Sequence, residues 1–226
     1  MTQPIQLDEG HHELLARTFA CPLELAELIG LKAHMRDHLP RTTIVHGDDP
    51  AAHVYLVFFG HARMLAFAFE GRMSVIEDYH GGDLFGERGL FGKATSPHNV
   101  TAVLHSRVGA FANPDFLGLM SNYASVALAV SRILVTRLEA AQRRLAEGAT
   151  LSAKGRICAE LLRLARAGQD LTIAPVPVLA QLALAVSSTR ETVSRTIATL
   201  ERRGIIRRDG EGLVLVAPHR LEDMVV

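Results

Sequence analysis

An α+β chain is predicted, with an antiparallel β-barrel in its first half, one long helix, and a group of short helices closed by a β-hairpin. Three observations predict it. From about Arg41 to Ala112, short β-rich runs alternate with glycine turns. From Phe116 to about Glu147, apolar residues recur at helical spacing, with no Gly or Pro after Gly118. Beyond Gly148 the helical runs shorten, and two apolar runs flank Asp209-Gly210.

In the first half, Val54 to Phe59 reads as a strand closed by Gly60-His61, followed by Ala62 to Phe69. The Glu70-Gly71 turn leads to Arg72–Asp78, and a second turn spans His80 to Asp83. Val100–Leu104 and Val108–Ala112 complete the set. Many short strands with Gly turns predict a closed barrel or sandwich rather than a parallel sheet. In the long segment, Val130, Leu134, Leu138, Ala141 and Leu145 form one stripe, extended backwards by Tyr123, Val126 and Ala127. At 1.5 Å per residue such a helix runs about 40 Å, too long for one small domain to cover. An apolar stripe of that length predicts a homodimer seam, with packing on the barrel alone as the alternative. Gly148-Ala149-Thr150 is expected to break the helix, and Ser152 to cap the next, 153–167, ended by Gly168. After a short extended piece at Leu171–Val176, helices are expected at 178–186 and 189–203. Gly204 stops the last before the hairpin Ile205–Arg208 and Leu213–Val216. The expected domains are 1–115, a sensor barrel with an N-terminal helix; 116–148, the dimerisation helix; and 149–226, the DNA-binding domain.

Composition excludes several classes. The 226 residues are 48% hydrophobic, which argues against disorder, and no apolar run reaches a membrane span. The first residues lack the basic-then-apolar pattern of a signal peptide, so the expected location is the cytoplasm. Cys21 and Cys158 alone cannot build a disulfide framework or a thiolate metal site. The net charge of +0 hides an asymmetry: residues 1–116 carry 9 basic against 14 acidic groups, and residues 151–226 carry 11 against 8. An acidic front and a basic rear fit a sensor joined to a nucleic-acid binder.

The sharpest signal runs from Leu182 to Arg195. Leu182, Ala183 and Val186 share one face of a short helix, small polar residues make a turn, and Thr189 caps a second helix. The apolar face of that helix is Val193, Ile197 and Leu200, while Arg190, Glu191, Ser194 and Arg195 open its other face. A recognition helix needs this division: apolar residues seat it while N-terminal polar side chains reach base edges. Arg can bond guanine in pairs, and Glu can accept from the cytosine amino group. The hairpin adds a wing whose Arg207 and Arg208 could meet phosphates, completing a winged helix-turn-helix for double-stranded DNA. The alternative is an amphipathic helix with a solvated charged face.

Arg190-Glu191-Thr192-Val193-Ser194-Arg195 resembles the recognition-helix signature of the Crp–Fnr family. Gly81-Gly82-Asp83-Leu84-Phe85-Gly86-Glu87-Arg88-Gly89-Leu90-Phe91 is similar to its sensor signature, and Lys154-Gly155-Arg156-Ile157 also matches. The resemblance covers roughly residues 22–217, with one departure, Ser187 where relatives usually carry Gly in the turn. It implies a cyclic-nucleotide-binding-like barrel (a double-stranded β-helix). It also implies a dimer on a palindromic operator, with RNA polymerase as a further partner. By the same resemblance Arg190, Glu191 and Arg195 read bases, and Ser188, Thr189 and Ser194 are neighbouring contacts. DNA bending is an expectation carried over from this family, which supplies the standard bending example.

For the effector, the resemblance points to Gly86 and Glu87 as the ribose-binding turn. The family's phosphate-binding Arg-Ser pair falls on Pro97-His98, followed by Asn99, and its adenine-contacting hydroxyls fall on Ala141 and Gln142. Pro97 offers neither charge nor N–H, so the usual cyclic-AMP mode is not expected. A different nucleotide, a cyclic dinucleotide, another small effector, or none at all remain open. Arg137, Arg143 and Arg144 could meet an anion, or pair with Glu139 and Glu147. Glu87 could equally hold its own loop. The eleven His residues lack metal-ligand spacing, and Arg88 stands where a haem-sensing relative supplies its ligand, so no metal or cofactor is expected. The competing readings are a constitutive regulator with a vestigial pocket and a cupin-like enzyme. The strands supply Val, Leu, Phe and Ala rather than convergent His and carboxylates, so no enzyme is expected.

Overall fold

The computed structural model describes residues 7–67, 73–92, 95, 98–210 and 212–225. It forms two compact units, residues 1–137 and 138–226.

The first unit opens with helices α1 (Glu9–Phe19) and α2 (Leu23–Gly30). Asp8 caps α1 by accepting from the His11 N–H, and the His11 ring returns a bond to the Asp8 backbone. Eight strands follow: β1 (His34–His38), β2 (Thr43–Val45), β3 (His53–Phe59), β4 (His61–Phe67), β5 (Met73–His80), β6 (Leu84–Phe85), β7 (Asn99–Ala102) and β8 (Ser106–Ala112). The predicted barrel is built as two four-stranded antiparallel sheets, ordered β1-β8-β3-β6 and β2-β7-β4-β5. Strand β1 carries Arg36, Asp37 and two His among its five residues, so it gave no apolar run to read; it pairs along all of them with β8. The Glu70-Gly71 turn, with Ala68, Phe69 and Arg72, lies outside the described residues.

The period of two along β3 divides the unit into two cores. Val57 points between the sheets, where it joins Ala62, Tyr79, Phe85, Val100 and Val108. Val54, Leu56 and Phe58 point the other way and pack with Phe19, Ile29 and Phe116 from the helices. Strand β3 is thus covered on both faces, which is why it reads as a continuous apolar run.

The single helix expected from Phe116 is two. Helix α3 (Asn113–Asn122) ends at Tyr123, whose backbone is extended (φ −129°, ψ 104°), and α4 (Ala124–Thr150) follows. Asn122 turns its side chain back onto the Gly118 carbonyl, local competition that suits a helix end. Gly148 does not break α4, which runs through to Thr150; an exposed Gly inside a helix costs only about 1 kcal/mol. The apolar stripe also divides. Val126 and Val130 are buried in their own unit, with Leu134 packed beside them. Leu128, Val135, Leu138 and Leu145 remain 53–74% exposed.

In the second unit, Ser152 accepts from the Gly155 N–H and caps α5 (Ala153–Ala167). Strand β9 (Thr172–Ile173), α6 (Leu179–Ala185), α7 (Arg190–Arg202), β10 (Ile206–Asp209), β11 (Gly212–Leu215) and α8 (Pro218–Glu222) complete it. Strands β10, β11 and β9 form one antiparallel sheet. Asp209 pairs with Gly212, so the turn begins at Gly210 (φ +57°) rather than at Asp209. Ile157, Leu161, Val193, Leu200, Ile206 and Leu221 make its core.

Candidate nucleic-acid interface and sensor interior

Local sequence sets the candidate surface at the start of α7. Helix α6 stops at Val186, Ser187 takes a left-handed φ of +48°, and the Ser188 N–H returns to the Ala183 carbonyl. Thr189 then caps α7 by accepting from the Thr192 N–H at 3.2 Å. Val193, Ile197 and Leu200 are at most 4% exposed, which seats one face of α7 on α5 and α6. Arg190, Glu191, Ser194 and Arg195 are exposed on the other face of its first two turns. Arg195 lies 4.0 Å from Glu191, an exposed pair that costs little to separate. The Thr196 hydroxyl bonds back to the Thr192 carbonyl, so that polar side chain is spent inside the fold. Ser188, Thr189, Arg190, Glu191, Ser194 and Arg195 are therefore brought together at one helix start.

The wing arginines behave differently. Arg207 and Arg208 are successive strand residues and point to opposite faces. Arg207 bonds Asp209 at 3.2 Å, and Arg208 bonds Glu201 at 2.7 Å, tying the hairpin to α7. Both are exposed.

In the first unit, Gly86 (φ +85°) turns the chain where a Cβ would lie 2.7 Å from the His53 carbonyl, a place only glycine fits. Glu87 opens the next turn. Its carboxylate meets Arg137 of α4 at 3.1 Å, and the same guanidinium meets Glu77 of β5 at 2.6 Å. Arg137 also donates to the Leu84 carbonyl and lies over the Tyr79 ring. Tyr79 donates to Glu77 at 3.0 Å. Burial pushes the Glu77 carboxyl above its ordinary range, against the pull of Arg137 and the Tyr79 hydrogen bond. One Glu87 oxygen is buried without a partner. Rings of Tyr55, Phe85 and Tyr79 stack beside this cluster at 4.9 and 5.0 Å.

Arg137 is thus committed to Glu77 and Glu87, not to Glu139, and Glu87 is held by a side chain rather than by its own loop. Asn99 accepts from the Gly47 N–H at 2.5 Å and so holds the loop before β3. Pro97 lies outside the described residues, and His98 is an intermediate-burial position beside it. Ala141 and Gln142 sit one turn beyond Arg137 on α4, in the second unit; Gln142, Arg143 and Arg144 are exposed. Sequence reading missed Glu77 and Tyr79. Their signal was the two-residue step along β5, which places a carboxylate on the face that carries a core tyrosine.

Two stretches of the chain match known domains. Residues 35–123 match the cyclic nucleotide-binding domain, and residues 155–224 match the Crp-like helix-turn-helix domain. The chain belongs to the Crp–Fnr family of transcription regulators. It is 24% identical over 210 residues to the cAMP-activated global transcriptional regulator Vfr of Pseudomonas aeruginosa, covering 89% of this chain and 98% of Vfr. Its fold is that of a CooA variant from Carboxydothermus hydrogenoformans, with a TM-score of 0.80 at 15% identity over 98% of both chains. It is also similar to the c-di-GMP responsive global regulator CLP of Xanthomonas campestris, with a TM-score of 0.72 at 22% identity, covering 86% and 99%. This Crp–Fnr protein is a DNA-binding transcription regulator with a sensor domain, and its relatives are regulators rather than enzymes. No single helix among the described residues is long and apolar enough to cross a membrane.

Proposed function

We propose that this Crp–Fnr regulator binds a two-fold symmetric operator as a homodimer, reading bases with Arg190, Glu191 and Arg195. Ser188, Thr189 and Ser194 are the neighbouring contacts. Arg207 is the wing residue for phosphate, while Arg208 holds the wing against α7. The working division is 1–115 for the sensor, 116–148 for the dimerisation segment and 149–226 for DNA binding, with RNA polymerase as the further partner.

The observation that carries the dimer is the exposed face of α4. Leu128, Ser131, Val135, Leu138, Gln142 and Leu145 follow alternating steps of three and four, and all six are exposed in the single chain. A repeat of seven is the pattern of a left-handed two-helix seam. Arg137 projects from the same helix but points into the sensor, so one element carries both the seam and the grip on the Glu87 turn. An effector that competes for Glu87 or Arg137 would change how α4 is held. Relatives' names span cAMP and c-di-GMP, so the effector class proposed is a nucleotide, bound otherwise than by the usual cyclic-AMP contacts.

One observation favours a second reading. Arg137 already neutralises the carboxylate that a ligand would engage, as expected of a regulator whose own side chain replaces the effector. Sedimentation equilibrium of the full chain, alone and on a duplex it selects, tests the main reading. Two chains per duplex are expected, and one chain per duplex would overturn it. Operator affinity that rises with one nucleotide supports an effector; affinity unchanged by every cyclic nucleotide and dinucleotide supports the internal arginine.

A further inference from the structure

Arg156 belongs to the Lys154-Gly155-Arg156-Ile157 stretch on α5. Its guanidinium is spent on three backbone carbonyls. Nε donates to Val186 at 2.9 Å, one terminal nitrogen to Ser187 at 3.1 Å, and the other to Leu151 at 3.1 Å. The first two carbonyls form the corner between α6 and α7. The third belongs to the two-residue link, Leu151-Ser152, that separates α4 from α5. Ser187 holds a φ of +48°, a conformation that side-chain-bearing residues adopt only at a cost. The corner therefore needs holding, and Arg156 supplies three of its five donors to do it.

We infer that Arg156 is a positioning residue for base reading, clamping the corner before the recognition helix to the end of the long helix. None of the three carbonyls has another cationic donor among the described hydrogen bonds. A planar guanidinium can span three acceptors, whereas an ammonium is a single point. With the clamp in place, the start of α7 and the end of α4 move as one body. Without it, α7 keeps its apolar seat but its N-terminal turn loses a fixed aim. The inference rests on α7 being the base-reading helix.

The test uses the full chain with its selected operator and an unrelated duplex of equal length. Arg156→Ala is expected to lower the operator-to-unrelated affinity ratio by about ten-fold or more, because base contacts need aim and phosphate contacts do not. Arg156→Lys should fall between the two. Ser187→Gly in the Arg156→Ala background should recover part of the ratio, since glycine takes the positive φ freely. Amide exchange should quicken at Val186–Ser188 and also at Leu151-Ser152. An unchanged ratio in a folded Arg156→Ala overturns the inference, as does faster exchange at the corner alone. Should Arg156→Ala not fold, an unchanged ratio in Arg156→Lys overturns it. If exchange quickens at both places while no duplex is discriminated even by the wild type, the clamp stands and the base-reading assignment fails.

Discussion

Replacing Arg137 by Met leaves two carboxylates, Glu77 and Glu87, facing each other in the sensor interior without a counter-charge. All three side chains are at most 27% exposed, so solvent screens them only in part. Removing one partner from a buried ionic group costs about 3–5 kcal/mol, and the residual exposure puts this site near the lower figure. For a unit of this size about 3 kcal/mol lowers the melting temperature by roughly 10 °C. The loss depends on pH. The Glu77 carboxyl already lies above its ordinary range, so its contribution is largest below its unfolded value and is lost as pH rises. Without Arg137 the carboxyl loses the attraction that opposes burial, so the deficit should be larger at pH 7 than at pH 5. Calorimetry of the full chain at both values measures it. The triple variant Glu77→Gln, Glu87→Gln, Arg137→Met removes every charge and should regain most of the loss. A melting temperature within about 2 °C of wild type in Arg137→Met alone would refute the buried bridge.

Arg190→Ala should cost about 1–3 kcal/mol of operator binding and relax the preference at one position of each half-site, read by competition with substituted duplexes. Leu138→Glu should convert dimer to monomer by sedimentation, while the melting temperature of the monomer changes little, because Leu138 is 58% exposed in the single chain. Burial pushes the Asp78 carboxyl up, but hydrogen bonds with His61 and Arg63 outweigh it, and the net effect is a fall to about 2. That depressed value stabilises the fold above the unfolded pKa near 4, and the contribution is lost as pH falls toward 2. Asp78→Asn should therefore cost about 1–2 kcal/mol at pH 7 after screening, with the difference vanishing below about pH 2 in acid denaturation.

The DNA-binding unit was largely legible because its signals are local. Caps at Ser152 and Thr189, the buried step Val193, Ile197, Leu200, and the two runs of the hairpin each declare their element within a few residues. The sensor was legible where strands are apolar on both faces, as at Val54–Phe59, and opaque where they are polar, as at β1. The long helix showed its apolar periodicity but not its partition. Val130 and Leu145 fall on one sequence stripe, yet the first is covered by the sensor and the second is exposed, a distinction that only tertiary packing makes. The surroundings of Glu87 were the least legible part. Glu87 could be found from its glycine turn, but Glu77 and the partner of Arg137 lie on separate elements, brought together across dozens of residues. Likewise Arg156 sat in a stretch noted for resemblance, while its three carbonyl partners come from segments 5 and about 30 residues away.

The central claim, that α7 reads a two-fold symmetric operator, is tested most directly by selecting duplexes from a random pool with the wild type and Arg190→Ala side by side. A palindromic motif with half-sites about 10 base pairs apart is expected, degraded at one symmetric pair of positions in the variant. A motif without two-fold symmetry, or one that Arg190→Ala selects unchanged, would contradict it.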